Sequence, residues 1–237
     1  MILAAGRGQR MLPLTDKMPK ALLPVGGKPL IQWHVENLAR AGFRDIVINH
    51  AYLGSMIEAA LGDGKRFAVR IRYSAEAEAL ETGGGIAYAL PLLQASAFLV
   101  VNSDLYCDYD FGALYPVARA LALDEANSLG HLVLVDNPPH HPHGDFSLDR
   151  DRVGSAAARL TFSGIAVYQA ALFSSIVAGR KASLAPLLHL AIDAGRMRGE
   201  HFTGSWIDVG TPERLDEANH HYASRATHFS SDRDRTP

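Results

Sequence analysis

The sequence has little cysteine and lacks any long apolar run. Cys107 is the single cysteine among 237 residues, which excludes an internal disulfide and fits a reducing compartment. No segment approaches the length of a membrane span, and the apolar stretch before Arg7 is too short for the core of a signal peptide. These absences lead us to expect a soluble, cytoplasmic protein without a membrane partner.

Basic runs and internal repeats are also absent. The net charge is −2, with both signs spread along the chain, so we expect no nucleic-acid partner. Hydrophobic residues make up 48% of the chain, enough for the core of one large domain. We predict a domain over residues 1–223 and a disordered tail over residues 224–237. Because the first apolar strand begins almost at Met1, we expect the native start a few residues upstream.

Apolar, β-branched runs alternate with helical patterns along the chain. This alternation predicts an α/β fold, a mostly parallel sheet with helices on both faces. A helix containing Ile31, Val35 and Leu38 is expected to end at Gly42, and Thr211 is expected to cap a helix that begins at Pro212. The remaining predicted helices are Leu53–Leu61, Gly84–Leu90, Tyr109–Leu123 (kinked or starting late at Pro116) and Leu184–Ala194. The predicted strands are Ile2–Ala5, Asp45–Asn49, Val69–Tyr73, Phe98–Asn102, His131–Val135 and Leu160–Tyr168.

The first strand runs into a short glycine loop that carries two arginines. Glycines directly after a strand let backbone N–H groups approach phosphate oxygens. The loop lacks the Gly-Lys-Ser/Thr ending of a P-loop. It also lacks the third glycine of a dinucleotide fingerprint, because Met11 occupies that position, which argues against a dehydrogenase.

Two aspartates are candidates for a metal site. Asp104 follows the buried strand Phe98–Asn102, and in an open parallel sheet ligands bind beyond the carboxyl ends of the strands. Asp208 lies in an apolar segment that ends in a glycine turn. Mg²⁺ typically takes one or two carboxylates together with substrate phosphates, an arrangement that Asp104 and Asp208 would fit.

Three glycines, at positions 83 to 85, open the third helix. They could admit a ligand against the backbone, and Thr82 could cap the helix. A histidine-rich segment, residues 135–146, contains three histidines and three prolines without a known metal-ligand spacing. We interpret it as a loop at the rim of the site.

The residues Leu3–Met11, Pro13–Thr15 and Pro19–Val25 together resemble the signature of the sugar-1-phosphate nucleotidyltransferase family. The resemblance implies a Rossmann-like three-layer αβα sandwich of the nucleotide-diphospho-sugar transferase type. It also implies an enzyme whose partners are a nucleoside triphosphate and a sugar 1-phosphate, with Mg²⁺ as cofactor. The residues it assigns are Ala4, Ala5, Gly6, Gly8, Gln9, Arg10 and Lys20 to the triphosphate, Arg10 and Lys20 also to catalysis, Thr82 and Gly83 to the base, and Asp104 and Asp208 to Mg²⁺.

Within that family, residues 81–85, 135–146 and 160–165 resemble the branch that transfers a uridylyl group from UTP to N-acetylmuramic acid α-1-phosphate in peptidoglycan recycling. This resemblance implies that Asn102, Gly144 and Asp145 bind the sugar. The lactyl carboxylate of that sugar needs a cation or water nearby, for which His140, His141, His143 and Arg159 are candidates. Glu81 departs from the family's common Leu-Gly-Thr pattern. The alternatives are a mannose- or heptose-1-phosphate guanylyltransferase and a catalytically inactive, nucleotide-sensing relative.

Overall fold

The computed structural model describes the backbone of residues 1–124 and 127–233, and the side chains of residues 1–124 and 127–225. The helices in this part of the chain are α1 (Leu30–Arg40), α2 (Gly54–Leu61), α3 (Glu81–Leu93), α4 (Leu114–Leu123), α5 (Ala185–Asp193) and α6 (Pro212–Arg233). The strands are β1 (Ile2–Leu3), β2 (Pro24–Val25), β3 (Lys28–Pro29), β4 (Asp45–His50), β5 (Arg70–Ala75), β6 (Ala97–Asn102), β7 (Leu105–Cys107), β8 (Gly130–Val135), β9 (Ser147–Asp149), β10 (Arg152–Gly154), β11 (Thr161–Gln169), β12 (Met197–Phe202) and β13 (Trp206–Asp208). None of the described helices is long and apolar enough to cross a membrane.

Nine of these strands form one sheet in the order β5-β4-β1-β6-β11-β8-β12-β10-β9. β1 is parallel to β4 and β6, β4 to β5, and β8 to β12. β11 is antiparallel to β6 and β8, and β10 is antiparallel to β12 and β9. Only β11 and β10 therefore oppose the direction of the other strands, and the predicted mostly parallel sheet is confirmed.

Alternate residues of the sheet pack against helices on opposite faces. In β6, Leu99 and Val101 belong to a core shared with apolar residues of α1, α2 and α4. Their neighbours Phe98 and Val100 belong to a second core shared with α3 and α5. The period of two residues that places side chains on alternate faces of a strand thus produces the three layers expected from the sequence.

The helix predicted over residues 109–123 begins late. A 3₁₀ turn covers Phe111–Ala113, with the Asp110 carboxylate accepting the Gly112 N–H at 2.9 Å, and α4 starts at Leu114. Pro116 then lies in the first turn, where a missing N–H breaks no helical hydrogen bond. The proline therefore sets a late start and not a kink.

The C-terminal helix begins as predicted. The Arg214 N–H donates to Thr211 Oγ1 at 3.4 Å, and α6 starts at Pro212. The helix continues to Arg233, so the expected boundary after residue 223 falls within it; residues 234–237 lie outside the described residues.

A third, smaller core joins the N-terminal segment to α6. Its members are Met11, Leu23, Val25, Leu30, Val209, Leu215 and Ala218. This packing brings the segment after β13 next to the loop after β1, although about 200 residues of chain separate them.

Candidate active site

A cavity of about 630 Å³ opens at the carboxyl ends of β1, β4 and β6. These strands are parallel neighbours, so the polar residues that follow them meet at one edge of the sheet. The loop after β1, Asn49 of β4 and the segment after β6 line the cavity, with Lys20 and the first turn of α3. The structure thereby brings together Ala4, Ala5, Gly6, Gly8, Gln9, Arg10, Lys20, Thr82, Asn102 and Asp104.

The glycine loop is held by contacts with the segment that follows it. Gly8 has a φ of 66°, in the left-handed region that favours glycine, and its carbonyl accepts the Thr15 hydroxyl at 2.8 Å. Arg7 donates to the Thr15 carbonyl at 2.7 Å and lies over the Tyr52 ring at 3.8 Å. The loop therefore has a fixed conformation in the protein itself, with backbone groups lining the cavity.

Asp104 pairs with Lys20 inside the cavity. Lys20 Nζ contacts Asp104 Oδ2, and both side chains are largely buried. His34 is buried nearby, and burial lowers its pKa to about 4, against the opposing effects of the Leu105 backbone and the Asp104 charge. His34 is therefore uncharged at neutral pH, so the positive partner of Asp104 is Lys20.

Asp208 lies beside Asp104 through a short strand pair that the sequence analysis did not predict. β13 pairs with β7, with Asp208 opposite Leu105, and the Val209 N–H donates to the Asp104 carbonyl at 2.8 Å. Asp208 does not line the main cavity described above. Its carboxylate accepts two hydrogen bonds of 2.6 Å from Arg214 Nη1 and lies 3.0 Å from His140 Nε2.

Basic groups gather near the turn that follows Asp208. Gly210 lines the cavity, and a Cβ placed on it would lie 3.3 Å from Arg10 Nη2. The same Cβ would overlap the Arg214 guanidinium. With Lys20, these two arginines place three positive side chains near the cavity, of which Lys20 and Arg214 are paired with Asp104 and Asp208. Side chains of this kind bind phosphate oxygens through charge-assisted hydrogen bonds.

The glycines at the start of α3 pack against protein. α3 begins at Glu81, so Thr82 lies inside the helix and the predicted Thr82 cap is wrong. A Cβ on Gly83 would lie 3.0 Å from the Ala182 and Ser183 carbonyls, and Gly84 donates its N–H to the Ala182 carbonyl at 2.9 Å. The segment 180–183 therefore occupies the space that Gly83 and Gly84 leave free. Thr82 lines both this cavity and a smaller one next to it, which is described below.

A buried polar bridge connects the glycine loop to α3, and the sequence analysis missed it. Asn49 Oδ1 accepts the Ala4 N–H at 3.0 Å, and Asn49 Nδ2 donates to Glu76 Oε1 at 2.7 Å. Glu76 Oε2 accepts the Leu80 N–H at 2.8 Å. A Cβ on Gly85 would lie 2.8 Å from both side chains, so this glycine makes room for the bridge. The sequence feature that could have indicated the role of Asn49 is its position near the end of a predicted parallel strand.

A second cavity, of about 310 Å³, adjoins the first and shares Leu3, Thr82 and Asn102 with it. Asp145 lines it, with one carboxylate oxygen 3.0 Å from His141 Nε2 and the other accepting the Phe162 N–H at 2.8 Å. Gly144, with a φ of 58°, is buried against the Leu160 backbone and supports this turn without lining the cavity.

Known proteins share the sequence pattern and the fold of this chain. The family model described as nucleotidyl transferase matches residues 1–225. N-acetylmuramate alpha-1-phosphate uridylyltransferase of Neisseria meningitidis is 53% identical over 223 residues, which is 92% of this chain and 95% of that protein. A mannose-1-phosphate guanyltransferase of Aspergillus fumigatus is 32% identical over 90% of this chain and 61% of its own length. A glucose-1-phosphate thymidylyltransferase structure from Bacillus anthracis, described as putative and in complex with a sucrose, has a TM-score of 0.78 with 21% identity over 92% of each chain.

The extent of the family match places the chain in a defined class of enzyme. It covers the sheet, both cavities and most of α6. The chain therefore belongs to the nucleotidyl transferase family and is a nucleotidyltransferase.

Proposed function

We propose that the protein transfers a uridylyl group from UTP to N-acetylmuramic acid α-1-phosphate, giving UDP-N-acetylmuramic acid and pyrophosphate in peptidoglycan recycling. The observation that carries this proposal is the 53% identity, over nearly both chains, to a relative named for that reaction. The guanyltransferase relative is more distant, at 32%.

The two adjoining cavities suit the two substrates. The larger one has the glycine loop and is lined by Arg7, Arg10 and Lys20, and we assign it to the triphosphate. The smaller one, lined by Asn102 and Asp145, is assigned to the sugar ring. Thr82 borders both, and we assign the base to Thr82 and not to Gly83, because Gly83 packs against the backbone of residues 182 and 183. Leu3, Thr82 and Asn102, shared by the two cavities, then mark where the sugar phosphate meets the α-phosphate.

The reaction needs no protein nucleophile. An oxygen of the sugar phosphate attacks the α-phosphorus, a new P–O bond forms, and the bond to the bridging oxygen of the pyrophosphate breaks. Catalysis of such transfers depends on positioning and on neutralising charge. Arg10 would bind the departing pyrophosphate, and Lys20, already fixed by Asp104, would hold phosphate oxygens at the reacting centre.

Asp104 and Asp208 fit a magnesium site. Asp208 lies on β13 and Asp104 directly precedes its partner strand β7; both are oxygen donors, and each is partly exposed, with side-chain exposures of 26% and 29%. When bound, the ion would neutralise phosphate charge and polarise the bond to the leaving group. The two carboxylates have basic partners, Lys20 and Arg214, and these side chains would turn toward the phosphates when a cation takes their place.

A matrix of the common nucleoside triphosphates against several sugar 1-phosphates, read out by pyrophosphate release, tests the proposal. We expect UTP with N-acetylmuramic acid α-1-phosphate to have the highest kcat/KM. A preference of about tenfold or more for GTP with mannose or heptose 1-phosphate would instead identify a guanylyltransferase. Absence of turnover with every pair, in a protein that still binds nucleotide, would identify an inactive sensing relative.

A further inference from the structure

The smaller cavity presents a charge problem for the proposed sugar. Of the described residues that line it, Asp145 is the one with a charged side chain, and that charge is negative. N-acetylmuramic acid carries a lactyl carboxylate in addition to its phosphate. Two carboxylates in one small cavity repel each other unless a cation lies between or behind them.

Of the basic groups in the surrounding loops, His141 is the one fixed on Asp145. Its Nε2 atom lies 3.0 Å from Asp145 Oδ1. His140 is occupied elsewhere, within 3.0 Å of both Asp208 and Arg214. The exposed Arg159 donates to the Ala156 carbonyl at 3.2 Å.

The loop geometry holds this pair in place. The Asp145 N–H donates to the Leu160 carbonyl at 2.8 Å, and Phe162 supplies the donor to Oδ2. Both carboxylate oxygens thus have a fixed donor, and His141 is four residues before Asp145 on the same loop. Asp145 lines the smaller cavity, and His141 lies behind it with a side chain that is 41% exposed.

We propose that His141 is a positioning residue whose imidazole, hydrogen-bonded to Asp145, offsets the negative charge of that carboxylate and so lets the smaller cavity accept a sugar phosphate bearing a second carboxylate. The inference rests on the proposed function of that cavity. A neutral sugar gains less from this offset, since it needs Asp145 only as a hydrogen-bond acceptor. His141 therefore favours the acidic sugar over the neutral one.

Two substrates that differ in the lactyl group separate these effects: N-acetylmuramic acid α-1-phosphate and N-acetylglucosamine α-1-phosphate, each with UTP. H141Q keeps an N–H donor for Asp145 without the imidazole, and H141K keeps a basic group. H143Q is the control, because His143 is in the same loop but is exposed and lines neither cavity. We expect H141Q to lower the ratio of kcat/KM for acidic over neutral sugar by about fivefold, the scale of a partly exposed charge pair. The change should lie mostly in the KM of the acidic sugar.

The outcomes are distinct. H141K and H143Q should keep the wild-type ratio within about twofold. An unchanged ratio in H141Q, or an equal loss for both sugars, would overturn the proposal and leave His141 as a structural support of the loop. A wild-type enzyme that prefers the neutral sugar would refute the proposed function itself, whatever the variants do.

Discussion

Replacing Glu76 by glutamine tests whether the bridge between the glycine loop and α3 depends on a carboxylate. Both neighbours, Asn49 Nδ2 and the Leu80 N–H, donate to Glu76. A glutamine of the same shape has one acceptor oxygen and one amide nitrogen, so one of the two donors would face an N–H group. Asn49 cannot relieve the conflict by turning its amide over, because its Oδ1 accepts the Ala4 N–H.

The size of the expected stability loss follows from the burial of the Glu76 side chain. Glu76 is 6% exposed, so water does not replace the lost acceptor. A buried donor without a partner costs about 1–3 kcal/mol, and we expect Glu76→Gln to lower the free energy of unfolding by about 2 kcal/mol. Removing a buried charge offsets part of this loss, but the two hydrogen bonds to the carboxylate are charge-assisted and therefore stronger. For a chain of this size, Tm should fall by roughly 4–8 °C.

Thermal unfolding followed by circular dichroism measures the change, and Glu78→Gln is the matched control. Glu78 lies in the same segment, but it is exposed and pairs with Lys181 at 2.7 Å. Exposed pairs contribute about 0–1 kcal/mol, so the control should melt within about 3 °C of the wild type.

Because the bridge ends at Ala4 and Leu80, beside the triphosphate cavity, Glu76→Gln should also raise the nucleotide KM more than the sugar KM.

The contrary result is a Glu76→Gln variant that melts at or above the wild-type temperature. That result would mean that the bridge does not need two acceptors on residue 76. Equal stability losses in the Glu76 and Glu78 variants would also count against it, because only one of these carboxylates is buried.

Four further outcomes are expected. Glu81→Gly should stabilise the protein by about 0.5 kcal/mol, because Glu81 has a φ of 61°, which disfavours residues with a side chain; a lower Tm would contradict this. Lys20→Met should lower kcat about 10²–10³-fold, and near-normal turnover would remove Lys20 from the mechanism. Burial raises the pKa of Cys107 to about 11, so below that pH little thiolate forms, and a thiol reagent at neutral pH should react slowly until urea unfolds the protein. Excess chelator should stop turnover and added Mg²⁺ restore it; full activity in chelator would exclude a metal.

The edge of the sheet that carries the larger cavity could be predicted from the sequence. The predicted strands ending near Ala5, Asn49 and Asn102 are parallel neighbours, so a loop of glycines and an aspartate that follow them necessarily converge. Residues such as Gly8 and Asp104 were predictable because their positions depend on local pattern and on strand direction. Neither requires knowledge of side-chain packing.

Contacts between distant segments were not predictable in this way. The glycines at 83 and 84 suggested that a ligand binds against the backbone, but the backbone of residues 180–183 lies against them. No local sequence pattern identifies that segment as their neighbour. The Asn49–Glu76 bridge likewise depends on two side chains, one on β4 and one directly after β5. The sequence does not reveal the rotamers of these side chains.

The pairing of Asp104 with Asp208 shows why the site depends on the C-terminal helix. These residues are brought together by the three-residue ribbon β7–β13, too short to be stable alone. The ribbon is held by the small core in which Met11 and Leu23 pack against Val209 and Leu215. The same core sets the glycine loop beside α6, whose Arg214 binds Asp208. Burial of a few apolar side chains that line neither cavity therefore fixes both carboxylates and the basic groups around them. An apolar-to-polar change at Leu215 would disturb the site although Leu215 is not part of either cavity.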